Sequence, residues 1–146
     1  CDLHENKLRK IEETARRLGV SIITTRRLDA RVFDSSLGEF DRVLCDVPCS
    51  GLGAIAKKPE IRYKDPGDIA ALPKTQRAIL DACSGYVKPG GTLMYSTCTV
   101  NRAENDGISR AFSEAREDFE LTEEKTLFPD TDGCDGFYYA VWKRKS

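Results

Sequence analysis

The feature that most constrains this chain is its alternation between helical and strand-like hydrophobic periods. Leu3, Leu8, Ile11, Ala15 and Leu18 fall on one face of a helix, the pattern of an amphipathic segment. Asp2 can cap that helix, with Glu5 three residues on, and Gly19 ends it. A short β-branched run at residues 20–24 then predicts a strand, and residues 41–46 predict a second, buried one. Residues 47–67 show no period and read as loop. A helix is expected over 75–87, with Pro73 near its start. Lys88-Pro89-Gly90-Gly91 reads as a turn and residues 92–97 as a strand. Asn101, with Glu104 three residues on, should cap the next helix, whose face carries Ile108, Ala111, Phe112 and Ala115. A short strand at 119–122 and an aromatic-rich one at 137–142 complete the order. Helices alternating with strands imply an α/β fold around a mainly parallel sheet. Ligands of such sheets sit beyond the carboxyl ends of the strands. Asp29, Asp46 to Cys49, and Thr97 to Thr99 stand at or near those ends.

Composition narrows the function classes. With 146 residues, 40% of them apolar and 32% charged, the chain is one domain or a piece of one. Neither a disordered nor a fibrous protein has that balance. Twenty-three basic against 24 acidic residues leave a formal charge of -1. Any nucleic-acid contact must therefore come from local patches. No apolar run reaches the roughly 20 residues of a membrane span. No basic-then-apolar leader is visible, and the expected compartment is cytoplasmic. The first residue is Cys1 rather than Met, which reads as processing or excision from a longer chain.

Six cysteines stand at positions 1, 45, 49, 83, 98 and 134. No CxxC pair occurs and His4 is the one histidine, so neither a zinc site nor another metal is expected. Reduced thiols fit a reducing compartment. Cys45 and Cys83 read as small buried hydrophobes. Cys49 and Cys98 differ, because both are expected at one crevice beside Asp46. A thiolate is a strong carbon nucleophile, and an electron-poor pyrimidine ring suits its attack. The thiolate adds at C6, a proton donor or hydrogen bond at N3 steadies the developing charge, and C5 becomes nucleophilic. Asp46, with its pKa raised by partial burial, could hold the N3 proton. A second thiol could help remove the C5 proton and release the adduct.

Asp46-Val47-Pro48-Cys49-Ser50-Gly51-Leu52-Gly53, followed by Lys58-Pro59-Glu60-Ile61-Arg62, resembles the fourth motif of RNA cytosine-C5 methyltransferases. Tyr95-Ser96-Thr97-Cys98-Thr99, then Glu104-Asn105-Asp106, resembles their sixth motif and the helix after it. Asp135-Gly136-Phe137-Tyr138-Tyr139-Ala140 resembles their closing strand. The chain is similar, in order, to the second half of the Sun/Fmu type, the bacterial 16S rRNA methyltransferase B family. The resemblance implies a truncated class I, Rossmann-like S-adenosylmethionine-dependent fold, mainly parallel, with an antiparallel last strand. It implies an enzyme that methylates C5 of a cytosine in small-subunit ribosomal RNA through a Cys–C6 adduct. Cys98 matches the nucleophile, Cys49 the release cysteine, and Asp46 the residue at N3 and beside the cofactor. Asp2 matches the acid that binds the ribose hydroxyls of S-adenosylmethionine, and Asp29 the residue near its adenine. The target base must leave its stack.

One departure stands out. The family's glycine-rich cofactor loop is expected upstream of Asp2 and is absent, so residues 1–146 read as a partial catalytic domain. Lys88-Pro89-Gly90-Gly91-Thr92 looks like that loop but follows a helix and precedes a strand, the wrong order for cofactor binding. The family's first strand and most of its second are also missing. Their absence should leave unpaired sheet edges open to self-association, unless the two flanking strands pair directly. Lys57, Lys58, Arg62 and Lys64 are candidate RNA-phosphate contacts, although a basic loop can equally be a solvated face. Tyr138, Tyr139 and Trp142 fit a core strand better than a base-stacking platform. Two other functions stay open: a non-catalytic fragment that binds RNA or a partner, and a methyltransferase acting on transfer RNA.

Overall fold

A computed structural model describes all 146 residues. Its centre is β2 (Val87–Thr97), an apolar strand in which Val87, Leu93, Tyr95 and Thr97 are wholly buried. β1 (Phe40–Asp46) pairs with it in parallel. The crossover between them is α2 (Pro66–Ser84), and the return from β2 runs through α3 (Asp106–Ala115). β3 (Phe119–Leu127) and β4 (Phe137–Arg144) follow, separated by the single turn α4 (Pro129–Asp132). β4 lies between β2 and β3, antiparallel to both, so the spatial order is β1-β2-β4-β3. The sheet is α/β as expected and its last strand is antiparallel. It is mixed rather than mainly parallel, because only one of its three pairings is parallel.

The core forms where α2 and α3 meet the sheet. Leu80, Leu93, Phe112 and Trp142 are fully buried there, each side chain contributing about 1.5–3 kcal/mol by leaving water. Phe112 meets Trp142 edge-on, with ring centroids 5.0 Å apart. Tyr138 and Trp142 are core residues, as their strand pattern implied.

α1 (Glu5–Arg17) ends as predicted: Gly19 has a φ of 68°, with Gly19 N–H on Arg16 O and Val20 N–H on Ala15 O. Its start differs, since His4 rather than Asp2 is the N-cap. Asp2 instead pairs through its backbone with the chain at Arg26 to Leu28. Residues 20–24 form no strand, and Ile22 is 91% exposed. A β-branched run needs a neighbour to share its hydrogen bonds, and no strand lies beside this one. The flanking segments therefore do not pair directly, and β1 is an edge strand.

α2 begins nine residues earlier than expected, capped by Asp65 onto Gly67 N–H with Pro66 at its first turn. Pro73 is inside it rather than at its start. α3 starts later than expected, because residues 101–105 turn on themselves before Asp106. The turn predicted at Lys88 to Gly91 is a bulge within β2, where the register jumps from Phe40↔Val87 to Arg42↔Thr92. No helix is long and apolar enough to cross a membrane.

Candidate functional site

The parallel register sets Asp46 of β1 beside Ser96 of β2. Both strands run out at the same edge of the sheet, and Val47 N–H on Ser96 O carries the ladder one step further. Cys49 follows Asp46 by three residues and Cys98 follows Ser96 by two, so the two thiols arrive at one place. Their sulfurs are 3.2 Å apart. Cys98 is exposed and Cys49 is half-buried. Burial, then the neighbouring Cys98, pushes the Cys49 thiol up to about 12. Asp46 accepts a 2.9 Å hydrogen bond from Ser96 Oγ. Its side chain is exposed rather than partly buried as expected, because it sits on the free edge strand.

Behind the thiols lies a buried polar network that the sequence reading missed. Glu104 accepts from Ser50 N–H at 2.9 Å, from Gln76 Nε2 at 2.8 Å and from Asn101 Nδ2 at 2.9 Å. Gln76 also donates to Pro48 O at 3.0 Å. Ser50 Oγ and Thr99 Oγ1 are 2.7 Å apart. Asn105 joins from below, donating to Thr99 O and accepting from Thr97 Oγ1. In the sequence Glu104 stood out through its spacing from Asn101, which suggested a helix cap, and through the stretch Glu104-Asn105-Asp106, which carried a resemblance but no role.

A third contact joins the two loops at Gly53. Its N–H donates to Cys98 O at 3.1 Å, and its carbonyl accepts from Gly136 N–H at 2.9 Å. A Cβ on Gly53 would stand 1.9 Å from Gly136 O, so only glycine permits this approach.

A cleft of about 850 Å³, which reaches Pro48 but neither Cys49 nor Cys98, is lined by Asp2, Asp29 and Asp46 together with Leu28, Ala30 and Pro48. The three predicted cofactor-binding acids thus share one wall system. Asp2 accepts from His4 N–H, which is the main cause of its lowered pKa, with Lys7 3.5 Å away. Arg31 grips Asp29 and holds its carboxyl at about 2. Carboxylates beside apolar walls suit a ligand that carries sugar hydroxyls and a flat ring.

The four basic candidates behave differently from one another. Lys57 pairs with Asp135 at 2.8 Å, although 72% of its side chain stays exposed. Lys64 Nζ donates to Ser50 O at 2.8 Å, so it braces the Cys49 loop. Lys58 and Arg62 are exposed, and they remain available to an outside anion.

Residues 1–143 match the protein family described as 16S rRNA methyltransferase RsmB/F. A Bacillus subtilis protein named probable ribosomal RNA small subunit methyltransferase B is 41% identical over 166 residues, covering 99% of this chain and 37% of that protein. A Vibrio cholerae protein named ribosomal RNA small subunit methyltransferase B is 35% identical, covering 99% of this chain and 35% of its own length. The chain therefore spans little more than a third of these relatives. NSun6 from Pyrococcus horikoshii, solved with SFG, superposes with a TM-score of 0.86 at 28% identity, over 99% of this chain and 40% of that one.

Proposed function

The chain belongs to the 16S rRNA methyltransferase RsmB/F family, and from that premise we propose that it carries the base-reacting part of an S-adenosylmethionine-dependent rRNA (cytosine-C5) methyltransferase. The observation that carries this reading is the 3.2 Å approach of Cys49 and Cys98 at the carboxyl ends of adjacent parallel strands. Bound S-adenosylmethionine supplies the methyl group. Asp2 and Asp29 are the residues to hold its ribose and adenine, and Asp46 lines the same cleft three residues before Cys49.

Cys98 is the exposed thiol and the nucleophile toward C6. Attack requires the thiolate. Cys49, pushed up to about 12, stays protonated at neutral pH and does not compete for the ring. Asp46 faces N3 and supports the charge that develops as the Cys98–C6 bond forms. After C5 has been methylated, its proton passes to water, the C5–H electron pair re-forms the C5–C6 double bond, and the Cys98–C6 bond breaks, with the protonated Cys49 thiol donating a hydrogen bond to the departing Cys98 thiolate 3.2 Å away. Lys58 and Arg62 are the free cations for backbone phosphates, with Lys57 available once Asp135 lets go and Lys64 acting through its brace on Ser50.

Replacing Cys98 with Ala in the intact protein should abolish methyl transfer to C5 while leaving cofactor binding unchanged. Undiminished transfer would sink the reading. The free edge of β1 is the surface through which the isolated chain would self-associate. Sedimentation should show mass rising with concentration, and a monomer throughout would dismiss that contact.

A further inference from the structure

Glu104 is wholly buried, and no lysine, arginine or histidine pairs with it among the ion pairs of the fold. A buried carboxylate is costly unless hydrogen bonds compensate it, and its three donors all come from neutral groups. Local helix chemistry does not account for it. In a capping box the Glu would accept from the backbone N–H of the cap residue. Here Asn101 N–H turns to Thr99 Oγ1 at 3.2 Å, and one carboxylate oxygen reaches across the sheet end to Ser50 and Gln76.

The donors lie on three separate segments: the loop after β1, helix α2 and the turn after β2. They bracket the reacting atoms. Pro48 O and Ser50 N–H, on either side of Cys49, are held by Gln76 and Glu104. Thr99 and Asn101, just past Cys98, are held to Ser50 Oγ and to Glu104.

We propose that Glu104 is a positioning residue: its carboxylate ties the Cys49 loop to the Cys98 loop and so sets the distance between the two thiols. This rests on the reading of Cys98 and Cys49 as the reacting pair. Glu104→Gln keeps the shape but puts an amide N–H₂ where three donors converge, so at least one contact is lost.

The first readout needs no methyl transfer. With oxidised glutathione, Cys49 and Cys98 form one S–S bond, and the two electrons reduce glutathione disulfide to two glutathione thiols. Peptide mapping by mass spectrometry follows the bond. Glu104→Gln should slow its closure by roughly 10- to 100-fold, the loss expected when reacting atoms shift by about 1 Å. Tyr95→Phe is the control. Its hydroxyl donates to the Glu104 backbone carbonyl at 2.7 Å, so its removal loosens the same turn without touching the carboxylate. At a matched drop in Tm it should close the disulfide at the unaltered rate. In the intact protein, Glu104→Gln should lower kcat for methyl transfer and leave the KM for S-adenosylmethionine unchanged.

Closure at the unaltered rate in folded Glu104→Gln would overturn the assignment, as would equal slowing by Tyr95→Phe. Should Glu104→Gln fail to fold, Gln76→Met, which removes two donations at constant length, should show the same slowing in milder form. Unfolding of both variants would also overturn the assignment, making the network a folding requirement. Methyl transfer surviving in Cys98→Ala would instead sink the reading of the cysteines and leave the disulfide result standing.

Discussion

Gly53→Ala is the sharpest structural perturbation available at this site. The new Cβ would lie 1.9 Å from Gly136 O, 2.5 Å from its carbonyl carbon and 2.8 Å from its Cα. Every one of those atoms is backbone, so no side chain can swing away. The two strands of chain must separate by roughly 1 Å, and overpacking of that kind costs about 1–3 kcal/mol. Separation also loosens the Gly136 N–H bond to Gly53 O and the Gly53 N–H bond to Cys98 O, each about 1 kcal/mol net. The sum is roughly 3–5 kcal/mol, which at about 3 °C per kcal/mol predicts a Tm lower by roughly 10–15 °C. Thermal unfolding followed by circular dichroism measures it. Gly133→Ala is the reference: its φ is 65° but nothing lies within 4 Å of a Cβ there, so only the left-handed strain of about 1–2 kcal/mol applies. If Gly53→Ala melts no lower than Gly133→Ala, the close approach does not hold the two loops together.

Two further outcomes follow from the charges and thiols. Arg31 holds Asp29 at about 2, below its ordinary 3.8. The ion pair is therefore intact above the ordinary value and is lost as pH falls through the folded one. An NMR titration of the Asp29 carboxyl should give a midpoint near 2 that returns toward 3.8 in Arg31→Ala, and a midpoint already at the ordinary value would refute the pairing. Because the Cys49 thiol is raised to about 12, iodoacetamide at mildly alkaline pH should modify the exposed Cys1, Cys98 and Cys134 before Cys49. Labelling of Cys49 ahead of Cys98 would contradict that order.

What the amino-acid pattern revealed, and what it hid, has a physical explanation. β1 and β2 were legible because their apolar runs stop at polar turn residues, and two such strands joined by a helix imply parallel pairing. That inference alone brought Cys49 and Cys98 to one crevice. The run at residues 20–24 misled because β-branched residues only mark a strand that has a neighbour, and Ile22 has none. Pro73 read as a helix start, yet Asp65 and Pro66 supply the real one. Antiparallel pairing of β4 with both β2 and β3 leaves no trace in hydrophobic period. The Glu104 network was hidden because its partners lie 28 and 54 residues away in sequence. No local rule reports such a contact.

In the proposed cycle Cys98 bonds to the base and Cys49 lets it go. Replacing Cys49 with Ala in the intact protein, then incubating with S-adenosylmethionine and ribosomal RNA, should hold the cycle at the adduct. An RNA-shifted band is expected on a denaturing gel, with peptide mapping placing the linkage on Cys98. Methylated RNA released freely by that variant, with no covalent species at any time, would contradict it.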